Sequence, residues 1–240
     1  MLEIGPGPGG LTRALLARGA KVVAIERDPR CIKALQPLEA EAGGRLTLIE
    51  ADALAVDIAD LATRLRIAGP WAIVANLPYN IGSELLIRWL HRLDAVTSLH
   101  LLLQKEVVAR ITADADTSAY GRLAVLCQSL CTVRRCFDLP PGAFHPPPKV
   151  TSSLVELLPR PADQRPEGAE LRALESVTRA AFGQRRKMLR SSLKALTTDP
   201  AQLFAATGIA ADRRAETLTL SEFRSLAEAW RTIRRSRGTA

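Results

Sequence analysis

Short apolar runs closed by glycine, asparagine or proline recur through the first two thirds of the chain, and helical spacing takes over in the last third. Leu2-Glu3-Ile4, Lys21 to Ile25, Arg45 to Glu50, Trp71 to Ala75, Leu99 to Leu103 and Ser153 to Leu157 each read as a strand, being short and rich in apolar or β-branched residues. Leu11 to Ala17 has helical apolar spacing, with Gly19 placed where a helix stops. Ser83 to Leu93 puts Leu85, Leu86, Trp89 and Leu93 on one helical face, and Trp89 reads as core. Tyr120-Gly121-Arg122-Leu123 opens a further helix carrying Cys127 and Cys131. Strands alternating with helices predict a Rossmann-like α/β fold, a mostly parallel sheet with helices on both faces.

Pro159 to Pro166 is proline-rich and charged, and is the expected boundary between a domain of residues 1–159 and a small all-α domain of residues 160–240. Helices are expected there over Glu167–Phe182, Gln184–Leu196, near Pro200–Thr207 and over Ser221–Arg235, the last with Ser221 as N-cap. Charge sharpens this division. Of the net +8, residues 1–159 hold 17 Lys and Arg against 16 Asp and Glu, and residues 160–240 hold 16 against 9. A basic block of that kind attracts a polyanion, and Arg185, Arg186, Lys187 and Arg190 are the expected phosphate contacts.

With 240 residues and 47% hydrophobic content the chain can bury a real core. No stretch resembles a membrane span or a signal peptide, so a cytoplasmic protein without a membrane partner is expected. The four cysteines make no C-x-x-C pair and three histidines are scattered, which points to reduced thiols and no metal site.

The candidate chemistry sits at strand ends. Gly5-Pro6-Gly7-Pro8-Gly9-Gly10 follows the first strand and precedes a helix, the entry to a nucleotide-binding βαβ unit. Glu26 closes the second strand where an acid suits a ribose diol. Gly5, Gly7 and Gly10 also satisfy G-x-G-x-x-G, so a nicotinamide dinucleotide is a rival ligand. An acid ahead of the glycines, Glu3, favours the cationic S-adenosylmethionine. Asp52 and the Ala53 N–H could meet an adenine edge, or Asp52 could simply cap the next helix. At Asn76-Leu77-Pro78-Tyr79, Asn76 Oδ1 and the Pro78 carbonyl could accept both N–H donors of an exocyclic amine while Tyr79 covers the ring. Phe144, in the stiff Phe144-His145-Pro146-Pro147-Pro148 loop, supplies a second aromatic face.

Taken together, these stretches resemble the ribosomal RNA adenine dimethyltransferase family. The likeness runs through Leu2-Glu3-Ile4-Gly5-Pro6-Gly7, Ile25-Glu26, Asp52-Ala53-Leu54 and Asn76 to Ile81. It continues in Gln104-Lys105-Glu106-Val107, Tyr120 to Leu123, Phe144 to Val150 and Phe182 to Lys187. The resemblance implies that Glu3, Gly5, Gly7, Glu26, Asp52, Ala53 and Asn76 bind S-adenosylmethionine, with no metal. It implies that Asn76, Pro78, Tyr79 and Phe144 hold the target adenine, and that the helical domain engages rRNA on an immature small ribosomal subunit. The implied product is two methyl groups on each of two adjacent adenosines, made by a monomer. Family members carry a few dozen further residues ahead of this point, including a basic segment near the methyl donor, and this sequence is expected to lack them. Two alternatives stand beside this reading: an assembly factor that keeps the fold without turnover, and a large-subunit rRNA adenine methyltransferase of the resistance type.

Overall fold

The computed structural model describes residues 1–67, 69–78 and 80–238. Among them the strands are β1 (Leu2–Ile4), β2 (Val22–Glu26), β3 (Leu46–Glu50), β4 (Trp71–Asn76), β5 (Val96–Gln104), β6 (Cys131–Leu139) and β7 (Ser152–Pro159). They form one sheet in the order β3-β2-β1-β4-β5-β7-β6. The first five are parallel neighbours, and β7 runs antiparallel to β5. Helices α1 (Gly10–Ala17), α2 (Pro29–Glu41), α3 (Ile58–Arg64) and α4 (Gly82–Leu90) make the crossovers. Because such crossovers are right-handed, α1 and α2 fall on one face, and α3 and α4 on the other, with the direction reversing between β1 and β4.

Central position explains composition. β1 is buried throughout, and Val22 to Ile25 of β2 are all at most 5% exposed, as a strand covered on both faces requires. The sequence reading found six of these strands and missed β6. Arg134, Arg135 and Asp138 make that strand look like a loop, and its edge position is what permits them. No helix among the described residues is long and apolar enough to cross a membrane.

The chain divides into two compact units, Met1–Val108 with Arg134–Pro159, and Ala109–Val133 with Arg160–Ala240. The second is larger than the expected 160–240, because it includes α6 (Arg122–Leu130). Its other helices are α7 (Gly168–Gly183), α8 (Leu189–Ser192), α9 (Ala201–Thr207) and α10 (Leu220–Gly238), with α5 (Lys105–Ile111) straddling the division. Its core gathers Tyr120, Ala124 and Val125 with Leu174, Val177, Leu189 and Phe223. Phe182 stacks on Phe223 at 5.5 Å and meets Tyr120 edge-on at 6.0 Å. The proline-rich stretch is anchored here rather than tethering freely. The Arg160 N–H donates to the Leu130 carbonyl at 2.9 Å, and Arg224 donates to the Gln164 carbonyl at 3.1 Å.

Two helix expectations need correction. The single helix over Gln184–Leu196 is instead α8 followed by a 3-10 turn over Leu193–Ala195. The N–H groups of Leu189 and Arg190 donate to the carbonyls of Arg213 and Ala211, at 2.8 and 2.9 Å, so they are lost to any helix running through 184–188. The cap of α10 is Thr219 rather than Ser221. Thr219 Oγ1 accepts from the Glu222 N–H at 3.2 Å while Glu222 Oε2 accepts from the Thr219 N–H at 2.8 Å, a capping box two residues earlier than expected.

Candidate functional site

Strand register assembles the site. Ile4 pairs with Ile25 on one side and Ala75 on the other, so Gly5 follows between Glu26 and Asn76. Glu26 pairs with Glu50, and Asn76 with Leu102. A single row, Glu50–Glu26–Gly5–Asn76–Leu102, therefore crosses the carboxyl edge of the parallel strands at steps of about 4.8 Å. Gly5 stands at the point where strand order reverses, which is where ligands bind in open α/β sheets.

Beside that row opens a cavity of about 640 Å3. Ile4, Ile25, Leu54 and Ile81 give it apolar wall, and Glu26 and Asp52 give it acid. Gly5 and Gly7 take φ of 66° and 56°, and a Cβ built on either meets nothing within 4 Å, so the loop faces open space. Left-handed backbone is what glycine permits there. Steric demand falls elsewhere in the loop. A Cβ on Gly9 would strike Leu35 Cδ2 at 2.4 Å, whereas one on Gly10 would meet nothing within 4 Å. The third glycine of a dinucleotide fingerprint is required for close helix–strand packing. Gly10 has no such duty, which weakens the nicotinamide reading.

Glu26 fastens the loop and lines the cavity at once. Its Oε2 accepts from the Gly7 N–H at 3.0 Å, and Oε1 accepts from the N–H groups of Arg27 and Asp28 at 2.7 and 2.8 Å. Both readings of Asp52 hold a share. Oδ1 caps the turn over Ala53–Ala55 by accepting from the Leu54 N–H at 2.9 Å, and Oδ2 lies 3.5 Å from Arg27 at the cavity mouth. Glu3 is placed differently from expectation. It is 1% exposed beneath the loop, and the cavity wall begins with Ile4. Burial pushes its carboxyl above the usual range, with the Thr12 hydroxyl partly opposing.

Asn76 is exposed at the end of β4. Pro78, Asn80 and Ile81 continue along the cavity wall. The Pro78 carbonyl already accepts from the N–H groups of Ile81 and Gly82, at 3.2 and 3.1 Å, where the chain turns into α4. Pro78 is itself exposed on that wall, so its carbonyl starts the turn into α4 at the edge of the cavity. Tyr79 lies outside the described residues. Phe144 is half-buried in the loop between β6 and β7. Ser152 pairs with Gln104, and the Lys105 N–H donates to the Thr151 carbonyl at 3.0 Å, so this loop joins the same carboxyl edge as Asn76.

Sequence reasoning missed Arg88. From α4 its guanidinium donates to the Leu54 carbonyl and lies 2.7 Å from Glu84, tying the Asp52–Leu54 wall to the helix that follows Asn76. No local pattern announces a contact across 34 positions. It also missed Asp28, which caps α2 ahead of Pro29 and lines the cavity. An N-cap aspartate followed by proline at N1 is a readable helix start.

In the helical unit the four expected phosphate contacts, Arg185, Arg186, Lys187 and Arg190, are all exposed. Arg185, its side chain 47% exposed, also donates to the carbonyls of Ser118 and of Tyr120, the latter at 3.0 Å, with Glu216 at 3.5 Å. It is a staple between two segments of that unit.

A family model described as "Ribosomal RNA adenine dimethylase" matches residues 1–231. The "Ribosomal RNA small subunit methyltransferase A" of Sinorhizobium fredii is 54% identical over 231 residues, covering 95% of this chain and 75% of that protein. That of Rhizobium meliloti is 54% identical over 233 residues, covering 95% and 81%. Among solved structures, a dimethyladenosine transferase from Plasmodium falciparum aligns with TM-score 0.73 at 24% identity over 94% of this chain and 87% of that one. The 23S rRNA methyltransferase ErmE aligns with TM-score 0.69 at 25% identity, over 95% and 89%. By both measures the fold is that of a Rossmann-like methyltransferase followed by helices, and this chain belongs to the ribosomal RNA adenine dimethylase family.

Proposed function

We propose that this chain is an S-adenosylmethionine-dependent enzyme that dimethylates the N6 amines of two adjacent adenosines in small-subunit (16S) ribosomal RNA. The observation that carries the reading is the row Glu26–Gly5–Asn76, which sets an acid, an open glycine loop and an amide acceptor side by side at the strand-order reversal. Residues around the cavity suit an adenosine with a cationic tail. Apolar Ile25, Leu54 and Ile81 offer faces for a purine, Glu26 offers its carboxylate to a ribose diol, and the Asp52–Ala53 turn offers an edge for the ring nitrogens. Bound there, S-adenosylmethionine supplies an electrophilic methyl group.

The remaining chemistry belongs to the chain. An adenine amine is a poor nucleophile because its lone pair is delocalised into the ring. Asn76 Oδ1 accepts one of its N–H donors and favours the pyramidal nitrogen needed for attack. That hydrogen bond strengthens as positive charge develops on nitrogen, so it stabilises the transition state more than the ground state. No strong base is required, since the nitrogen becomes acidic once methylated. Phe144 and Tyr79 stack on the base, a contribution of about 1–3 kcal/mol per base. The adenine is reached in unstacked or single-stranded RNA. The working setting is the cytoplasm, on an immature small subunit, with one chain acting as a monomer, the unit of Met1–Val108 with Arg134–Pro159 carrying the chemistry and the basic helices engaging RNA. The 54% identity to small-subunit enzymes, against 25% to the large-subunit one, favours the small subunit.

The test replaces Asn76 with Ala. Methyl transfer from radiolabelled S-adenosylmethionine to immature small subunits should fall by at least about a hundredfold, the usual scale for losing one preorganised transition-state contact. The dissociation constant for S-adenosylmethionine, by calorimetry, should change less than about threefold. Equal losses in both would reduce Asn76 to a cofactor or structural residue. A wild-type chain that binds the subunit but transfers no methyl group would leave the assembly-factor reading.

A further inference from the structure

Arg172, Arg179, Arg231, Arg234 and Arg235 wall a groove of about 530 Å3 between α7 and α10, with Trp230 beside them. None of these residues has a part in the reaction proposed above. Arg172 and Arg179 are exposed and seven residues apart, two helical turns on one face, which spaces them by about 10 Å. Arg231, Arg234 and Arg235 stand at helical spacing on the opposing wall, where three- and four-residue steps make neighbours. Two lines of guanidinium groups thus border one channel. Acid in the channel is limited. Glu175 lies in its wall, and Arg231 reaches Glu170 at 3.2 Å. Arg172, Arg179 and Arg234 are exposed like charges on one rigid surface, and their mutual repulsion is relieved by a bound polyanion.

The shape narrows the ligand. A single phosphate or small anion would meet only one end of a channel whose charges spread over two turns of helix. A membrane surface would require an exposed apolar row beside the basic one, whereas the residues beneath these arginines, Ala173, Leu174 and Val177, are buried in the core of the unit. A continuous sugar–phosphate strand presents charges at repeated intervals, and arginine meets phosphate through a planar, bidentate fork. We propose that the α7–α10 groove docks the backbone of the ribosomal RNA substrate, independent of base sequence. It acts as an anchoring surface additional to Arg186, Lys187 and Arg190. The inference rests on RNA being the substrate, and the experiment separates it from the methylation reading.

The full chain carrying Arg172→Ala, Arg179→Ala and Arg234→Ala is titrated with a naked small-subunit ribosomal RNA transcript across a salt series. A control triple carries Arg18→Ala, Lys21→Ala and Lys33→Ala. For the groove triple, affinity should fall tenfold or more at about 0.1 M salt, and the slope of log K against log salt should flatten by about 2, each lost phosphate contact counting roughly 0.7–0.9. Its melting temperature and its affinity for S-adenosylmethionine should match the parent. The Gln triple at the same positions keeps the side-chain stems and gives the same reading where the Ala triple melts early. An unchanged slope overturns the proposal, and so does an equal loss in the control triple, which would show net charge alone at work. A parent chain that binds the transcript with a slope lost in the groove triple, yet transfers no methyl group, overturns the reaction and leaves the groove standing.

Discussion

Replacing Glu26 with Gln tests whether one carboxylate both shapes the glycine loop and receives the methyl donor. In the folded chain its two oxygens are divided between the Gly7 N–H at 3.0 Å and the Arg27 and Asp28 N–H pair at 2.7 and 2.8 Å. A glutamine has one oxygen. Keeping the shorter pair turns its NH2 toward the Gly7 N–H, donor against donor. At least one charge-assisted bond is lost, worth about 1.5–3 kcal/mol. Gly7 is half-exposed, so water recovers part of that loss in the free protein, and folding stability should drop by only about 1 kcal/mol. In the proposed role the methyl donor has no such recovery, because its ribose takes the same carboxylate. At 1.4 kcal/mol per tenfold, affinity for S-adenosylmethionine should weaken by about 10- to 150-fold. Calorimetric titration measures that loss, and thermal denaturation of the free protein measures the stability term. Affinity within about threefold of the parent, with stability also unchanged, would refute the double role. A large stability loss with affinity intact would confine Glu26 to the loop.

Three further predictions follow from contacts the sequence did not announce. Arg88→Ala removes the tie between the Leu54 carbonyl and α4, and because the side chain is half-exposed it should raise KM for S-adenosylmethionine about fivefold, with kcat at saturation nearly unchanged and Arg88→Lys giving partial rescue. A fall in kcat at constant KM would contradict a positioning role. Arg185→Ala should destabilise the chain by about 1–2 kcal/mol in urea melts, through the vacated Ser118 and Tyr120 carbonyls. Arg186→Ala should leave stability unchanged and reduce the salt slope of RNA binding. The reverse pattern would show the Arg185 carbonyl contacts to carry no stability. Glu3→Gln should act through pH. Burial raises the Glu3 carboxyl above its ordinary 4.5, so the folded chain holds that proton more tightly than the unfolded one and loses stability as pH rises beyond 4.5. The amide escapes that loss, so melting temperatures of variant and parent should coincide near pH 4 and separate at pH 8 in favour of the variant. A variant less stable at pH 8 would refute it.

Local signals carried most of the catalytic unit. The strands ending at Ile4, Glu26, Glu50 and Asn76 are apolar runs closed by turn residues, and parallel register then forces their ends into one row. Elements that failed were those whose stability is not local. β6 is charged because it lies at an edge, beyond reach of any periodicity rule. α8 starts only at Leu189 because the neighbouring backbone around Arg213 takes the N–H groups a helix through 184–188 would need. The Pro78 carbonyl also starts the turn into α4, a use the linear motif does not show. Motifs located the site, and only coordinates showed which of its polar atoms were already in use.

Two segments of the family resemblance acquire a single cause in the helical unit. Tyr120-Gly121-Arg122-Leu123 and Phe182 to Lys187 lie far apart in sequence, yet the Tyr120 ring meets Phe182 edge-on at 6.0 Å and the Tyr120 carbonyl accepts from Arg185 at 3.0 Å. An edge-to-face aromatic pair contributes about 0.5–1.5 kcal/mol beyond buried area. Tyr120, itself 1% exposed, pays part of that back by burying its hydroxyl, and burial pushes the phenol up to about 12. Packing therefore accounts for Tyr120, Phe182 and the backbone contacts of Arg185, while Arg186 and Lys187 stay exposed. The same contacts explain why the segment Ala109–Val133 leaves the sheet and returns to it. Without α6, the core face of α7 around Leu174, Val177 and Ala181 would lack the partners Tyr120, Ala124 and Val125 provide. Residues 160–240 alone would then expose an apolar face. A proline-rich stretch marked a composition change at 159, but the physical unit is fixed by which side chains bury one another.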